Sequence, residues 1–212
     1  MKKITFLLLL VSISFGCRKE PNLSNLSDDF LVATLYDETA DFGEYVTYKI
    51  VDQVGIVTND PNGDTLLPSN IANQLINRVK SNMNARGYTN LPFDSTANAD
   101  LGVNIFAINQ LNEGNIISPG YWWGYPGYYD PYYWGCYSCY YYYPFSYSYS
   151  YNTGTIVMEI LDLKNADANN DKVIVLWTGI GNGLLSDFTT VNIQYGLDAI
   201  DQSFIQSPYI QR

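Results

Sequence analysis

Five segments of the chain combine β-branched, aliphatic and aromatic residues in alternating or short continuous apolar runs. They are residues 30–36, 45–51, 101–108, 155–163 and 173–179. Each is bounded by polar or glycine-containing residues, and this pattern predicts β-strands. The last two runs are separated mainly by the polar segment ADANNDK. We therefore expect them to form an antiparallel hairpin.

Two further segments carry apolar residues at spacings of three and four, which predicts amphipathic helices. The first begins near Ser69, a candidate N-cap, and ends at Arg86-Gly87. The second covers about residues 191–205. Their apolar stripes are Ile71, Leu75, Ile76, Val79 and Met83 in the first, and Ile193, Leu197, Ile200 and Phe204 in the second. The order β-β-α-β, a long excursion and β-β-α predicts an α+β fold: a mostly antiparallel or mixed sheet with two helices on one face.

The excursion, residues 114–153, is rich in aromatic residues. Eighteen of the thirty-one residues 121–151 are Tyr, Trp or Phe, interleaved with Gly, Pro and Ser. This composition predicts no regular core element, yet so much aromatic surface is not expected to stay fully solvated. Three arrangements are open: a lid over the exposed sheet face, a mobile loop without a ligand, or stacking platforms for sugar rings or a partner protein. The candidate stacking residues are Tyr121, Trp122, Trp123, Tyr125 and Trp134.

The first sixteen residues have the layout of a lipoprotein signal peptide. Lys2 and Lys3 precede an apolar stretch, and Gly16 stands before Cys17. The stretch is too short for a permanent membrane span. A cysteine at the new N-terminus can carry acyl chains such as palmitate, each worth about 0.8 kcal/mol per buried methylene. We expect lipidation at Cys17, a flexible tether over residues 17–30 and a single domain over residues 31–212. The alternative is an ordinary secreted protein.

The residue after the cysteine bears on the membrane in which the protein resides. Arg18 stands there instead of the aspartate that tends to retain lipoproteins in an inner membrane. Outer-membrane residence is therefore predicted, on the periplasmic or the cell-surface face.

A series of short motifs resembles the bacterial lipoprotein family of domain of unknown function 4136. The matching pieces are residues 36–37, 40–48, 86–88, 99–103, 154–157, 160–162, 175–179 and 207–208. They lie in the family's order across most of residues 30–209. The resemblance implies an envelope lipoprotein with an α+β sandwich and implies no activity. Trp177-Thr178-Gly179 departs from the commoner Trp-Arg-Gly type, so no basic function is carried over to position 178.

Charge and residue types exclude several functions. The net charge is −10, and loss of Lys2 and Lys3 with the signal peptide makes it more negative. Such a chain repels phosphate backbones, so nucleic-acid binding is not expected. The chain has no histidine, which excludes Ser-His-Asp and Cys-His catalysis.

Cofactors and metals are not predicted either. Cys136 and Cys139 lack the further ligands that zinc would need, so a local disulfide is expected in an oxidising compartment. A redox pair is the lesser alternative, because the two cysteines stand among aromatic and turn residues and not at a helix N-terminus after a strand. Oxygen-bearing residues alternate in two loops, but neither loop has the full calcium-binding pattern, and Asx-rich turns explain both. These loops contain Asp60, Asn62 and Asp64, and Asp167, Asn169 and Asp171.

The functional prediction is a non-enzymatic, membrane-anchored envelope lipoprotein with a structural or binding role. Its expected partners are the membrane, through Cys17, and a cell-wall glycan or an envelope protein. One alternative is a carbohydrate- or peptidoglycan-binding module that uses the tyrosine-rich loop. Another is a hydrolase with an unrecognised carboxylate pair, although no pair stands out along the chain.

Overall fold

The computed structural model describes residues 31–58, 60–109, 116–117, 124–146, 149–150, 154–167, 171–183 and 189–212. Within these ranges the strands are β1 (Leu31–Tyr36), β2 (Thr47–Ile50), β3 (Gly55–Val57), β4 (Thr89–Asn90), β5 (Leu101–Ile108), β6 (Ile116–Ile117), β7 (Tyr140–Tyr142), β8 (Tyr149–Ser150), β9 (Thr155–Asp167) and β10 (Lys172–Asn182). The helices are α1 (Ser69–Ala85) and α2 (Thr189–Ile205), with short 3-10 helices at Phe42–Glu44 and Pro131–Trp134. No helix in these ranges has the length and apolar character needed to span a membrane.

Eight strands form one mixed sheet in the order β1-β10-β9-β5-β2-β4, with β3 also paired to β5 and β7 to β10. The central pairs β1–β10, β10–β9 and β9–β5 are antiparallel. Four pairs are parallel: β2–β4, β2–β5, β3–β5 and β7–β10. The predicted α+β class, the mixed sheet and the β9–β10 hairpin are therefore confirmed. Strands β6 and β8 pair separately with each other.

Both helices pack on one face of this sheet, as predicted. The buried residues of α1 are Ala72, Leu75, Ile76, Val79 and Met83. They form one core with Ala199, Ile200 and Phe204 of α2 and with the strand residues that point to the same face. Trp177 of β10 is fully buried there, and its indole Nε1 donates to Ser207 Oγ at 2.9 Å. The C-terminal segment thus closes the helix-side core.

Some predicted details of the helix α1 boundaries are wrong. Ser69 is the first helical residue and not the cap; Pro68 occupies the N-cap position and makes no side-chain capping bond. The carbonyl of Pro68 accepts the N–H groups of Ile71 and Ala72, so the first turn begins one residue earlier than a serine cap would place it. The predicted end is close to the observed one, since Arg86 is the C-cap and Gly87 has a φ of +91°.

The expectation that the insertion has no regular core element is also wrong. Strand β7 lies in the tyrosine run and pairs in parallel with the first residues of β10, Lys172 to Ile174. Alternation along the run directs Tyr141 inwards, where it is 4% exposed, while Tyr140 and Tyr142 stay exposed. Backbone pairing and one buried ring are enough to order this strand, although the segment has few aliphatic residues. The insertion thereby extends the sheet.

Candidate functional site

Apart from strand β7, which belongs to the sheet, parts of residues 124–146 cover the sheet face opposite to the helices, and Tyr129, Tyr133 and Trp134 also contact the helix-side core. Tyr125 and Tyr128 pack against a cluster that contains Phe106 of β5 and Val157 of β9. A second cluster on this face joins Tyr141 to Leu161, Val173 and Val175, with Trp134 packed against it. Over these residues the insertion has the arrangement of a lid.

The lid contacts strand β3 backbone to backbone, at two glycines. A Cβ atom added to Gly55 would overlap the carbonyl of Gly127, and one added to Gly127 would overlap the backbone of Ile56. Gly127 also has a φ of +85°, a conformation that favours glycine. Only glycine at both positions permits this close approach, so the two glycines determine where the lid contacts strand β3.

Beneath the lid, three polar side chains form a row across the centre of the sheet. Asn104 of β5 is in register with Glu159 of β9, and Glu159 is in register with Thr178 of β10. All three are fully buried. The Thr178 hydroxyl has no hydrogen-bond partner among the described residues. A buried carboxyl therefore lies at the middle of this polar row, and apolar clusters lie on the same face.

Side chains from the lid satisfy this carboxyl. The Tyr143 hydroxyl donates to Glu159 Oε1 at 2.6 Å, and the Tyr128 hydroxyl donates to Oε2 at 3.3 Å. Asn104 Nδ2 donates to the same Oε2 at 3.1 Å. Asn104 in turn accepts the indole N–H of Trp134 through Oδ1 at 3.0 Å. We call these five residues the buried polar cluster.

Burial controls the protonation of this cluster. Desolvation raises the pKa of Glu159, and the hydrogen bonds from Tyr143, Asn104 and Tyr128 oppose that rise. Desolvation also raises the pKa of Tyr128 well above 10, with the neighbouring Glu159 acting in the same direction. Because Glu159 is fully buried, no solute reaches it in this structure. The cluster attaches the lid to the sheet.

An open groove lies at the edge of the lid, between the lid, the β4–β5 connection and strands β2 and β9. Its volume is about 600 Å³. The residues that line it are Lys49, Phe93, Asn98, Ala99, Asp100, Tyr133, Trp134, Gly135, Leu163 and Lys164. We call this the edge groove. Its size lies in the range of about 300–1,000 Å³ that is usual for small-molecule sites.

Aromatic rings form one wall of the edge groove. The rings of Phe93 and Tyr133 stack with centroids 5.1 Å apart and an interplanar angle of 25°. Trp134 lies edge-on to Tyr133 at 5.1 Å. The Trp134 ring rests on Gly102 of β5, where an added Cβ would come within 3.2 Å of it. Phe93 remains 37% exposed, so this wall presents aromatic surface to solvent.

Charged side chains lie elsewhere in the lining. Lys49 Nζ donates to the Ser95 carbonyl at 2.7 Å, and Lys164 Nζ donates to the Glu44 carbonyl at 2.9 Å. Asp100 Oδ2 accepts the backbone N–H groups of Val46 and Thr47. These bonds, together with the charge of Lys164, outweigh desolvation and lower the pKa of Asp100. The edge groove thus combines apolar rings with fixed charges.

The predicted site residues fall into three groups. Cys17, Tyr121, Trp122 and Trp123 lie outside the described residues. Trp134 lines the edge groove, whereas Tyr125, also in the lid, packs against the sheet. Cys136 and Cys139 form the predicted disulfide, with their Cα atoms 5.4 Å apart, directly after the 3-10 helix that carries Trp134.

The site residues predicted from the sequence do not include Lys49, Phe93, Asn104 or Glu159. For Asn104 and Glu159 a signal exists, because each is a lone polar residue inside a strongly apolar strand, LGVNIFAI and TIVMEILDL. Such residues are buried only with hydrogen-bond partners. Nothing in the local pattern around Phe93 or Lys49 indicates that they meet the insertion.

The described part of the chain contains no group of three carboxylate or thiol side chains placed to hold a metal ion. In the first of the two oxygen-rich loops, Asp60 Oδ1 accepts the backbone N–H of Asn62 at 2.9 Å. This is the Asx turn that the sequence predicts there.

These features define a class of protein: an α+β domain with two helices on one face of the sheet and an aromatic lid on the other. The model of the family "Domain of unknown function (DUF4136)" matches residues 32–209, and the chain belongs to this family. The predicted resemblance is thereby confirmed. The crystal structure of a DUF4136 family protein from Bacteroides thetaiotaomicron is similar with a TM-score of 0.74 and 33% identity, covering 87% of this chain and 98% of that one.

Two more distant structural similarities have TM-scores below 0.5. A PDZ domain protein from Parabacteroides distasonis has a TM-score of 0.43 and 16% identity, over 87% of this chain and 37% of that one. The PelC dodecamer from Paraburkholderia phytofirmans has a TM-score of 0.37 and 9% identity, over 86% of this chain and 99% of that one. No curated protein matches the sequence.

Proposed function

We propose that the protein is an envelope lipoprotein, anchored in the outer membrane through Cys17, whose domain binds a ligand and catalyses no reaction. The signal-like residues 1–16 and the cysteine that follows support the anchor. The edge groove supports the binding role, because it is concave and partly aromatic and carries a few placed polar groups. It is the observation on which the binding proposal rests.

A carbohydrate is the ligand class that the edge groove favours. Sugar rings present apolar C–H faces that stack on aromatic side chains, and hydroxyl groups that need hydrogen-bond partners at the rim. Phe93, Tyr133 and Trp134 offer the rings, and Asn98 offers an amide beside them. Trp134 is held by its bond to Asn104, and Tyr133 by its bond to Asp52 at 3.3 Å. The wall is therefore pre-organised, which reduces the entropy lost on binding.

The hydrolase alternative receives no support from the described residues. Glycoside hydrolysis needs two carboxyl groups on either side of the bond that is cleaved. Asp100 is the acidic residue among those that line the edge groove, and two backbone N–H groups hold one of its oxygens. The carboxyl with a raised pKa, Glu159, is fully buried under the lid. A binding role fits this arrangement better.

Replacing Cys17 with serine is expected to abolish lipid attachment, because serine cannot form the thioether that carries the diacylglycerol. Cells fed an alkyne analogue of palmitate should label the wild-type protein and not the Cys17→Ser variant. The variant should also leave the detergent phase in a partition experiment. The matched control is Cys136→Ser, which should label like the wild type because Cys136 lies in a disulfide within the domain. Equal labelling of wild type and Cys17→Ser would contradict the anchor.

Replacing Phe93 with alanine is expected to weaken glycan binding about tenfold or more, because the stacking surface of the edge groove is lost. The measurement is calorimetric titration of the full-length protein in detergent with chitotriose and with soluble cell-wall fragments. Tyr137→Ala is the matched control, since Tyr137 is 75% exposed and does not line the groove. If both variants bind like the wild type, the groove is not the glycan site.

A further inference from the structure

Two lysines from different strands line the edge groove. Lys49 belongs to β2 and Lys164 to β9, and both line the cavity beside the aromatic wall. Each ammonium has three donors, and the bonds described above direct one of them to a backbone carbonyl. A carbonyl bond orients an ammonium group but leaves its charge unneutralised.

The acidic lining residue does not cancel this charge. Lys49 and Lys164 each contribute one positive charge and Asp100 contributes one negative charge, so the lining side chains carry a net charge of +1. Asp100 Oδ2 is bound by the N–H groups of Val46 and Thr47 at 2.7 and 3.0 Å, which bind it to the protein backbone. The lining side chains therefore carry a net positive charge beside an aromatic surface, with the Asp52 carboxylate hydrogen-bonded to Tyr133 outside the lining.

The rest of the molecule has the opposite charge. With a net charge of −10, the surface as a whole repels anions. A positive groove on a negative protein concentrates an anionic ligand at that one place, and the repulsion elsewhere suppresses non-specific binding. Charge complementarity therefore favours an anionic occupant over a neutral one.

We infer that the edge groove binds a sugar that carries a carboxylate, with the sugar ring on Phe93 and the carboxylate between Lys49 and Lys164. The inference rests on the proposed glycan binding and specifies its chemical class. Two kinds of sugar share this chemistry: uronic acids, with a carboxylate on the ring, and lactyl-ether sugars such as N-acetylmuramic acid. Charge-assisted hydrogen bonds from two ammonium groups would select either one over a neutral amino sugar.

The test is a comparison of three probes on the full-length protein in detergent at low ionic strength. They are trigalacturonic acid, the disaccharide of N-acetylglucosamine and N-acetylmuramic acid, and neutral chitotriose. At least one acidic probe should bind about tenfold more tightly than chitotriose, and the difference should shrink as salt is added. The acidic probe that binds more tightly shows whether the ligand is a uronic acid or a lactyl-ether sugar.

Single substitutions test carboxylate recognition by the lysines separately from glycan binding by the aromatic wall. Lys49→Gln and Lys164→Gln should each reduce this preference for the acidic probe about threefold. Lys80→Gln, on helix α1 on the other face of the sheet, removes the same charge and should change nothing. If the wild type binds all three probes equally and Phe93→Ala still weakens binding, glycan binding stands and the carboxylate inference is wrong. If no probe binds, the proposed glycan binding is wrong as well.

Discussion

Replacing Gly127 with alanine is expected to detach the lid from strand β3. The added Cβ would overlap the backbone of Ile56, which is held in the sheet and cannot move aside. Overlap of this kind costs about 1–3 kcal/mol. The positive φ of 85° adds about 1–2 kcal/mol of strain for a non-glycine residue. We expect the free energy of unfolding to fall by about 3 kcal/mol, or the lid to open locally.

Both outcomes are measurable. Urea unfolding reports the global loss, and limited chymotrypsin digestion reports local opening, since the lid is rich in cleavable aromatic residues. Gly124→Ala is the matched control: its φ is +82°, but an added Cβ meets no atom within 4 Å. The free energy of unfolding of this variant should fall only by the backbone strain of about 1–2 kcal/mol, and the variant should resist the protease like the wild type. If the two variants behave alike, the contact between Gly127 and β3 does not hold the lid.

The local pattern was sufficient to predict the helices and the long strands. Strand β5 was predicted at its observed bounds, because eight residues of apolar and β-branched character leave few alternatives. Helix α1 is predictable because its apolar residues recur at helical spacing, and all of them except the partly buried Ile71 become buried. These elements bury their own regular faces, so the information needed to recognise them is local.

The edge groove depends on long-range contacts and could not be predicted in the same way. Phe93 and Tyr133 are forty residues apart and meet only because the insertion returns over the sheet. Strand β7 was missed because a run of tyrosines has no apolar and polar alternation until backbone pairing with β10 decides which ring turns inwards. Strand β3 is three residues long and pairs in parallel with β5, so it too depends on a distant partner.

Replacing Glu159 with alanine is expected to lower the free energy of unfolding by about 3 kcal/mol or more, because two partly buried phenols and one buried amide lose an acceptor. A cavity is left as well. The hydroxyls of Tyr128 and Tyr143 are 3.2 Å apart and recover one bond with each other. Asn104 keeps a weaker bond to the Tyr129 carbonyl at 3.3 Å. Urea unfolding measures the loss, and the lid should also become sensitive to chymotrypsin.

Glu159→Gln is the informative counterpart because it keeps the shape and removes the charge. Its amide oxygen can accept from Asn104 and Tyr128, and its amide nitrogen can donate to the Tyr143 hydroxyl. The Tyr143 proton then loses Glu159 as its acceptor and turns to the Tyr128 hydroxyl, 3.2 Å away. Protonated Glu159 makes an equivalent network. Glu159→Gln should therefore unfold at the same urea concentration as the wild type at pH 4 and resist chymotrypsin equally.

The difference between the two proteins should appear as the pH rises. Because burial raises the folded-state pKa of Glu159 above its ordinary value of 4.5, the folded protein binds more protons than the unfolded chain. The stability contributed by this residue is then complete below pH 4.5 and declines as the pH rises through the folded-state pKa. Glu159→Gln lacks this decline, so its advantage over the wild type should grow between pH 4.5 and pH 8. A constant difference across that interval would mean that Glu159 remains ionised in the folded protein, with the lid hydrogen bonds outweighing the cost of burial.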